Sequence, residues 1–183
     1  MKSQGKDILS SERFRLTLRR LAHQIIENYP DLSDVHIVGI QESGVHFSQR
    51  MVEELRQVSS AQTVHHGKLD ISFFRDDYHL RTDPIEVKPT ELPFDVEGKR
   101  ILLLDDVLYT GRTVHAAMTA LLHFGRPRSI ELMVLVDRRF NRHFPIRPDY
   151  TGITVDALDN AYVRVEWAEE SGVDRIRMFA SDS

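Results

Sequence analysis

The sequence predicts an α/β fold: a twisted, mostly parallel sheet flanked by helices and ending in a terminal strand pair. Three observations predict it. The runs "VHIVGI" (35–40), "RILLLDD" (100–106) and "SIELMVLVD" (129–137) are apolar without alternation, the character of strands buried on both faces of a parallel sheet. Segments with helical spacing lie between them, and strand, helix, strand in that order implies a right-handed parallel crossover. At 183 residues, 41 % hydrophobic and 28 % charged, the chain fits a single domain, 1–183, with a full core.

Taken in order, Ser10 or Ser11 can cap a first helix, whose apolar positions Phe14, Leu18, Leu21 and Ile25 keep a four-three-four spacing up to Pro30. "VHIVGI" follows as a strand, Gln41 to Gly44 make a turn, and Phe47, Met51, Leu55 and Val58 mark a second helix. "LDISFF" (69–74) reads as another strand. From Arg75 to Glu97 the chain has charges, three prolines and little periodicity, which predicts a long loop of the kind that serves function. After the strand at 100–106, "TVHAAMTALLHF" (113–124) is a helix closed by Gly125 and Pro127. In the tail Val163, Val165 and Trp167 face one way and Arg164 and Glu166 the other. "SGVD" then turns the chain towards Ile176 and Met178, giving the terminal strand pair.

Net charge is −4, so any polyanion must be held by a local patch rather than a global field. There is no cysteine, hence no disulfide framework and no thiolate chemistry. The first residues, "MKSQGKDILSSERF", lack the apolar core of a signal peptide, and no apolar run approaches the roughly 20 residues of a membrane span. A cytoplasmic protein is the expectation. Adjacent His65 and His66 would point to opposite faces of a strand and so do not suggest a metal site.

In an open α/β sheet the ligand lies beyond the carboxyl ends of the strands, which directs attention to "LLLDDVLYTGRTVHAA" (102–117). Tyr109, Thr110, Gly111, Arg112 and Thr113 lie between strand end and helix start. Their backbone N–H groups can converge on an anion, the helix dipole favours it, and Gly111 permits the tight turn. Asp105 and Asp106 only accept hydrogen bonds, so their partners are hydroxyls or the waters of a metal. A phosphate with a diol nearby, as in a ribose 5-phosphate, satisfies both halves. An isolated Asp-Asp would simply end a strand; the apolar strand before and the helix after set this pair apart. A Walker loop is ruled out, because G-x-x-x-x-G-K-[ST] is absent and "EGKR" (97–100) precedes its strand.

"ILLLDDVLYTGRT" resembles the phosphoribosyl pyrophosphate (PRPP) signature of type I phosphoribosyltransferases, specifically of the PyrR family of bifunctional pyrimidine operon attenuators with uracil phosphoribosyltransferase activity. "TLRRLAHQIIE" (17–27) resembles that family's first helix, "IVGIQESGV" its pyrophosphate loop, and "DISFFRDD" the strand entering its mobile flap. "FGRPRSIELMVLVDRR" and "PIRPDYTG" are similar to its base-binding end. The resemblance implies the type I phosphoribosyltransferase fold with a small hood, in a homodimer or larger oligomer. It implies displacement at the anomeric carbon of PRPP by a nucleobase nitrogen, uracil-like by family, with pyrophosphate leaving and Mg²⁺ bound mainly through PRPP, with Asp105 and Asp106 as candidate protein ligands. Asp105 and Asp106 would hold the ribose hydroxyls, and Val107, Leu108, Tyr109, Thr110, Gly111, Arg112 and Thr113 would cradle the 5-phosphate. Arg75, with Asp105 and Asp106 in the catalytic set, would close over the pyrophosphate, with Asp76 and Asp77 helping to position it. Asp137 and Arg138 would face the base, and Gln41, Glu42, Ser43 and Gly44 would form the pyrophosphate loop.

The chain also departs from that pattern. Between the glycines of its pyrophosphate loop the family carries lysine, threonine and arginine, where this chain has Gln41, Glu42 and Ser43. A carboxylate in place of a cation is unfavourable there, since one unit charge at about 4 Å and an effective dielectric near 20 is worth on the order of 4 kcal/mol. "RFNRHF" after "VDR", and "GITVDALD", depart as well. The alternative reading is therefore a weakly active or inactive nucleotide-sensing, RNA-binding attenuation regulator of pyrimidine genes. Arg19, Arg20 and His23 fall where the family's first helix contacts RNA, and Arg138, Arg139, Arg142 and Arg147 could extend the basic surface.

Overall fold

The computed structural model describes residues 5–61, 63–76, 87–157 and 161–180. Its main sheet has five parallel strands: β2 (Val35–Ile40), β3 (His65–Leu69), β4 (Arg100–Leu108), β5 (Ser129–Arg139) and β6 (Tyr150–Asp156), in the order β3-β2-β4-β5-β6. Helices α1 (Ser11–Asn28) and α2 (Ser43–Val58) cover one face and α3 (Arg112–Leu121) the other. Every residue of β2 is buried, as its unbroken apolar run requires. Along β4 the side chains alternate between two cores: Leu102 and Leu104 join the α1/α2 side, Ile101 and Leu103 the α3 side.

A second, three-stranded antiparallel sheet forms a hood in the order β1-β8-β7, from β1 (Lys6–Leu9), β7 (Ala161–Glu166) and β8 (Arg175–Ala180). The expected terminal pair is β7 and β8; β1, four residues long and too short for a periodicity signal, adds the third strand. Trp167, 2 % exposed, ties the hood to α1 through an edge contact with Phe14 at 5.2 Å. The short helix α4 (Ala168–Ser171) is tied to α2 by Arg50, which donates to Glu169 at 2.7 Å.

One expectation is corrected and one strand is added. The strand expected at 69–74 instead runs from His65 to Leu69 and is followed by a 3-10 turn at Ser72–Phe74. The Asp70 carboxylate accepts from the Ser72 amide (3.3 Å) and hydroxyl (2.8 Å), and this side-chain turn diverts the backbone from the sheet. β6, at Tyr150–Asp156, adds a strand to those expected. It carries Gly152 because a Cβ there would run into the Leu135 carbonyl of the neighbouring strand. His65 and His66 do take opposite faces: His65 stacks on His36 at 4.4 Å between centroids, while His66 Nε2 lies 2.9 Å from Ser48 Oγ. Residues 77–86 of the long loop, Asp77 among them, lie outside the described residues. Among those described, no helix is long and apolar enough to cross a membrane.

Candidate functional site

β2 connects through α2 to β3 on one side, and β4 through α3 to β5 on the other. The order therefore reverses between β2 and β4, and the loops leaving their carboxyl ends, 41–43 and 109–111, flank a crevice. Gly44 lets the first loop lie against β4, since a Cβ there would collide with the Leu104 carbonyl. Ser43 and Gly44 then open α2.

Asp105 and Asp106 sit between these loops near the end of β4. Asp105 is 5 % exposed. Its carboxylate accepts from the Asp106 amide at 3.0 Å, and that of Asp106 accepts from the Val107 amide at 2.7 Å. Burial, and then the charge of Asp106, push the Asp105 pKa well above the ordinary carboxylate value; the Arg75 guanidinium pulls the other way. Burial is also the main reason Asp106 is raised to about 6, with the Glu170 carboxylate of the hood adding to it. Such elevation marks negative charge with too little compensation.

Gly111 holds φ +89 at the start of α3, a conformation natural to glycine. The loop before it is clamped from above by the segment after β5. The Thr110 carbonyl accepts from the amides of His143 (2.9 Å) and Phe144 (3.2 Å). Arg142 donates to the Tyr109 carbonyl and pairs with Asp137 at 2.5 Å, and the Arg138 guanidinium lies 3.9 Å over the Tyr109 ring.

Two adjoining hollows result. One, of about 410 Å³, is bounded by Gln41, Glu42, Ser43, Asp70, Ser72 and Lys88. The other, of about 210 Å³, is bounded by Leu108, Tyr109, Thr110, Gly111 and Arg112. Arg75, Asp105, Val107 and Thr113 line both. Asp106 lines the larger.

The structure thus gathers Arg75, the aspartates and both loops. Asp137 and Arg138 line neither hollow; Asp137 is engaged by Arg142, and Arg138 is 4 % exposed beneath the Tyr109 loop. Asp76 forms an ion pair with Arg112. Arg19, Arg20 and His23 are exposed on α1 and line neither hollow. Arg20 donates to the carbonyls of Thr151 (3.2 Å) and Gly152 (2.5 Å), Arg139 forms a two-pronged pair with Asp156, and Arg147 is exposed. Arg142 stands apart from them, by the cleft. Asp70, Ser72 and Lys88 were not singled out from the sequence. Ending the strand at Leu69 would have put 70–72 at the carboxyl edge and revealed the first two.

Among the described residues, no three His, Asp or Glu side chains form a cage for a metal ion. Two adjacent, under-compensated carboxylates suit a hard cation that brings most of its oxygen ligands with it.

A family model described as the phosphoribosyl transferase domain matches residues 4–170. The chain is 42 % identical over 171 residues to "Bifunctional protein PyrR" of Chloroflexus aurantiacus, covering 93 % of both chains. It is 40 % identical over 173 residues to the protein of that name from Deinococcus radiodurans, covering 94 % of this chain and 93 % of that one. Among solved structures, a hypoxanthine phosphoribosyltransferase from Trypanosoma cruzi superposes with a TM-score of 0.74 at 17 % identity, covering 97 % of this chain and 95 % of that one. One from Staphylococcus aureus gives 0.71 at 18 % identity, over 95 % and 92 %.

Proposed function

The chain belongs to the phosphoribosyl transferase family, as a PyrR-like member of type I, and from that premise we propose that it transfers the phosphoribosyl group of PRPP to a nucleobase, releasing pyrophosphate. The observation that carries the reading is the pair of adjoining hollows with a carboxylate floor between them. A ligand with phosphate at one end, diphosphate at the other and hydroxyls in the middle has the matching order of groups.

In this reading the amides and hydroxyls of Val107 to Thr113 hold the 5-phosphate at the start of α3. Asp105 and Asp106 accept from the ribose 2- and 3-hydroxyls and fix the ring. The base nitrogen attacks the anomeric carbon as the bond from that carbon to pyrophosphate breaks, and the N–H proton of the base is lost to the departing pyrophosphate or to solvent. Positive charge that develops on the ring is stabilised by the nearby carboxylates, and Arg75 stabilises the departing anion. Mg²⁺, when bound with PRPP beside Asp105 and Asp106, supplies charge neutralisation at the leaving group. Uracil is the base we assign, by resemblance, and contact of Asp137 or Arg138 with it requires that Arg142 and the Tyr109 ring release them. A cytoplasmic location and a homodimer or larger assembly belong to the same reading.

Incubation with PRPP, Mg²⁺ and a panel of purine and pyrimidine bases tests it. Nucleotide and pyrophosphate should accumulate together, most with uracil. Saturable nucleotide binding with no turnover on any base would sink the enzyme reading and favour the second one, a nucleotide-sensing RNA-binding regulator. The exposed Arg19, Arg20 and His23 on α1 support that second role, as does the word "bifunctional" in the relatives' name. RNA retention at physiological salt that is lost in Arg19→Ala with His23→Ala is its test, because phosphate contacts alone fade steeply with salt.

A further inference from the structure

We propose, on the premise that PRPP occupies this cleft, that Lys88 is the cation that grips the pyrophosphate, and that Glu42 is its resting counter-ion. The loop after β2 offers the leaving group no positive side chain: it presents Gln41, Glu42 and Ser43. The cation arrives from elsewhere. Lys88, on the returning leg of the long loop, places Nζ 2.6 Å from Glu42 Oε1 and lines the larger hollow together with Asp105 and Asp106.

The backbone fixes that leg in place. Gln41 Nε2 donates to the Pro89 carbonyl at 2.7 Å, and the Asp70 amide donates to Thr90 Oγ1 at 3.0 Å. Glu91 and Lys68 exchange two backbone hydrogen bonds of 2.8 Å each. Lys88 is therefore carried on an anchored segment rather than at a loop tip. Gln41 and Glu42, two residues that depart from the family pattern, contribute to fastening it.

Charge and position agree with this role. Among the described residues, the larger hollow is lined by four carboxylates, Glu42, Asp70, Asp105 and Asp106, against two cations, Arg75 and Lys88. Arg75 reaches both hollows, whereas Lys88 lines only the one beside loop 41–43, so it can distinguish the leaving group from the 5-phosphate. The Glu42 side chain is 68 % exposed and that of Lys88 35 %, so their ion pair is weak enough to be exchanged for a diphosphate that offers several charged oxygens. Glu42 thus holds the ammonium beside the cleft and gives it up when the diphosphate binds.

Calorimetry on the full chain with Mg²⁺ tests the proposal, using PRPP, inorganic pyrophosphate and ribose 5-phosphate as probes. Lys88→Met should weaken PRPP and pyrophosphate by about tenfold to a hundredfold and leave ribose 5-phosphate unchanged, with Lys88→Arg recovering most of the loss. Glu42→Gln should bind pyrophosphate at least as tightly as the wild type. Wild-type affinity of Lys88→Met for all three probes would overturn the role of Lys88, as would an equal loss for all three. Weaker pyrophosphate binding by Glu42→Gln would overturn the counter-ion role. If the wild type bound neither PRPP nor ribose 5-phosphate, the phosphoribosyl reading itself would fall, and this proposal with it.

Discussion

Replacing Asp106 by Asn should make the ligand-free protein more stable while weakening its hold on ribose. The Asp106 pKa is raised to about 6 in the fold, against about 3.9 in an unfolded chain. Below about pH 4 the carboxyl is protonated in both states and costs nothing. As pH rises from about 4 to 6, the unfolded chain loses a proton that the fold retains, so this group's contribution to stability falls; above about 6 the whole penalty is present. Two pKa units correspond to about 3 kcal/mol, and partial access to solvent reduces that to about 2 kcal/mol. Asn is nearly isosteric and uncharged, so in Mg²⁺-free buffer at pH 7.5 the variant should gain about 2 kcal/mol, or a Tm higher by about 4–8 °C for a chain of this size. At pH 4 the gain should vanish. Urea and thermal unfolding at the two pH values measure it, and calorimetry with ribose 5-phosphate and Mg²⁺ should show a loss of at least about tenfold, one good charged hydrogen bond. A variant no more stable than wild type at pH 7.5, or equally stabilised at both pH values, would refute the idea that uncompensated charge is stored at the cleft floor.

Two structural substitutions probe the supports of the site. Arg142→Ala removes the ion pair to Asp137 and the contact with the Tyr109 carbonyl; it should cost about 2 kcal/mol by thermal melting and weaken ribose 5-phosphate by about tenfold. Unchanged affinity in a folded variant would show that the 109–111 loop holds its shape without the clamp. Gly44→Ala drives a methyl into the Leu104 carbonyl and should lower the urea midpoint by the equivalent of about 2–3 kcal/mol. A neutral result would mean that α2 can move off β4 freely.

Legibility from the sequence followed burial. β2, β4 and β5 are interior strands whose unbroken apolar runs admit little else, and α1, α2 and α3 keep their apolar spacing because each covers one face of that sheet. β3 lies at the sheet edge, and its "HHGKL" has no such run; the apolar residues just after it belong to a turn set by Asp70. β6 was hidden by Gly152, which reads as a breaker yet is present because the next strand comes too close for a side chain. The Asp105–Asp106 pair and the Gly111 loop were legible because their spacing relative to strand and helix is local. Lys88 was not, for nothing local says which residue of a long loop returns to the cleft. Asp137 and Arg138 stand at the carboxyl end of β5, where a ligand residue is expected, but their side chains are drawn to Arg142 and Tyr109 by the segment folded over the loop.

The strand order itself accounts for the position of the paired aspartates. β4 is the central strand, flanked by β2 and β5, and the chain turns away in opposite directions after β2 and β4. Its carboxyl end, like that of β2 beside it, is adjacent to both the loop that leaves β2 and the loop that enters α3. Carboxylates there lie between two anion-binding ends, which is unfavourable for an empty cleft and suited to a ligand whose hydroxyls separate two phosphate groups. On β5 the same pair would lie beside only one of the two loops, and one residue further along β4 each side chain would point to the opposite face. The raised pKa of both aspartates is the consequence of holding that place ready: the fold keeps acceptors where a sugar will bring donors, and gives up stability until it does.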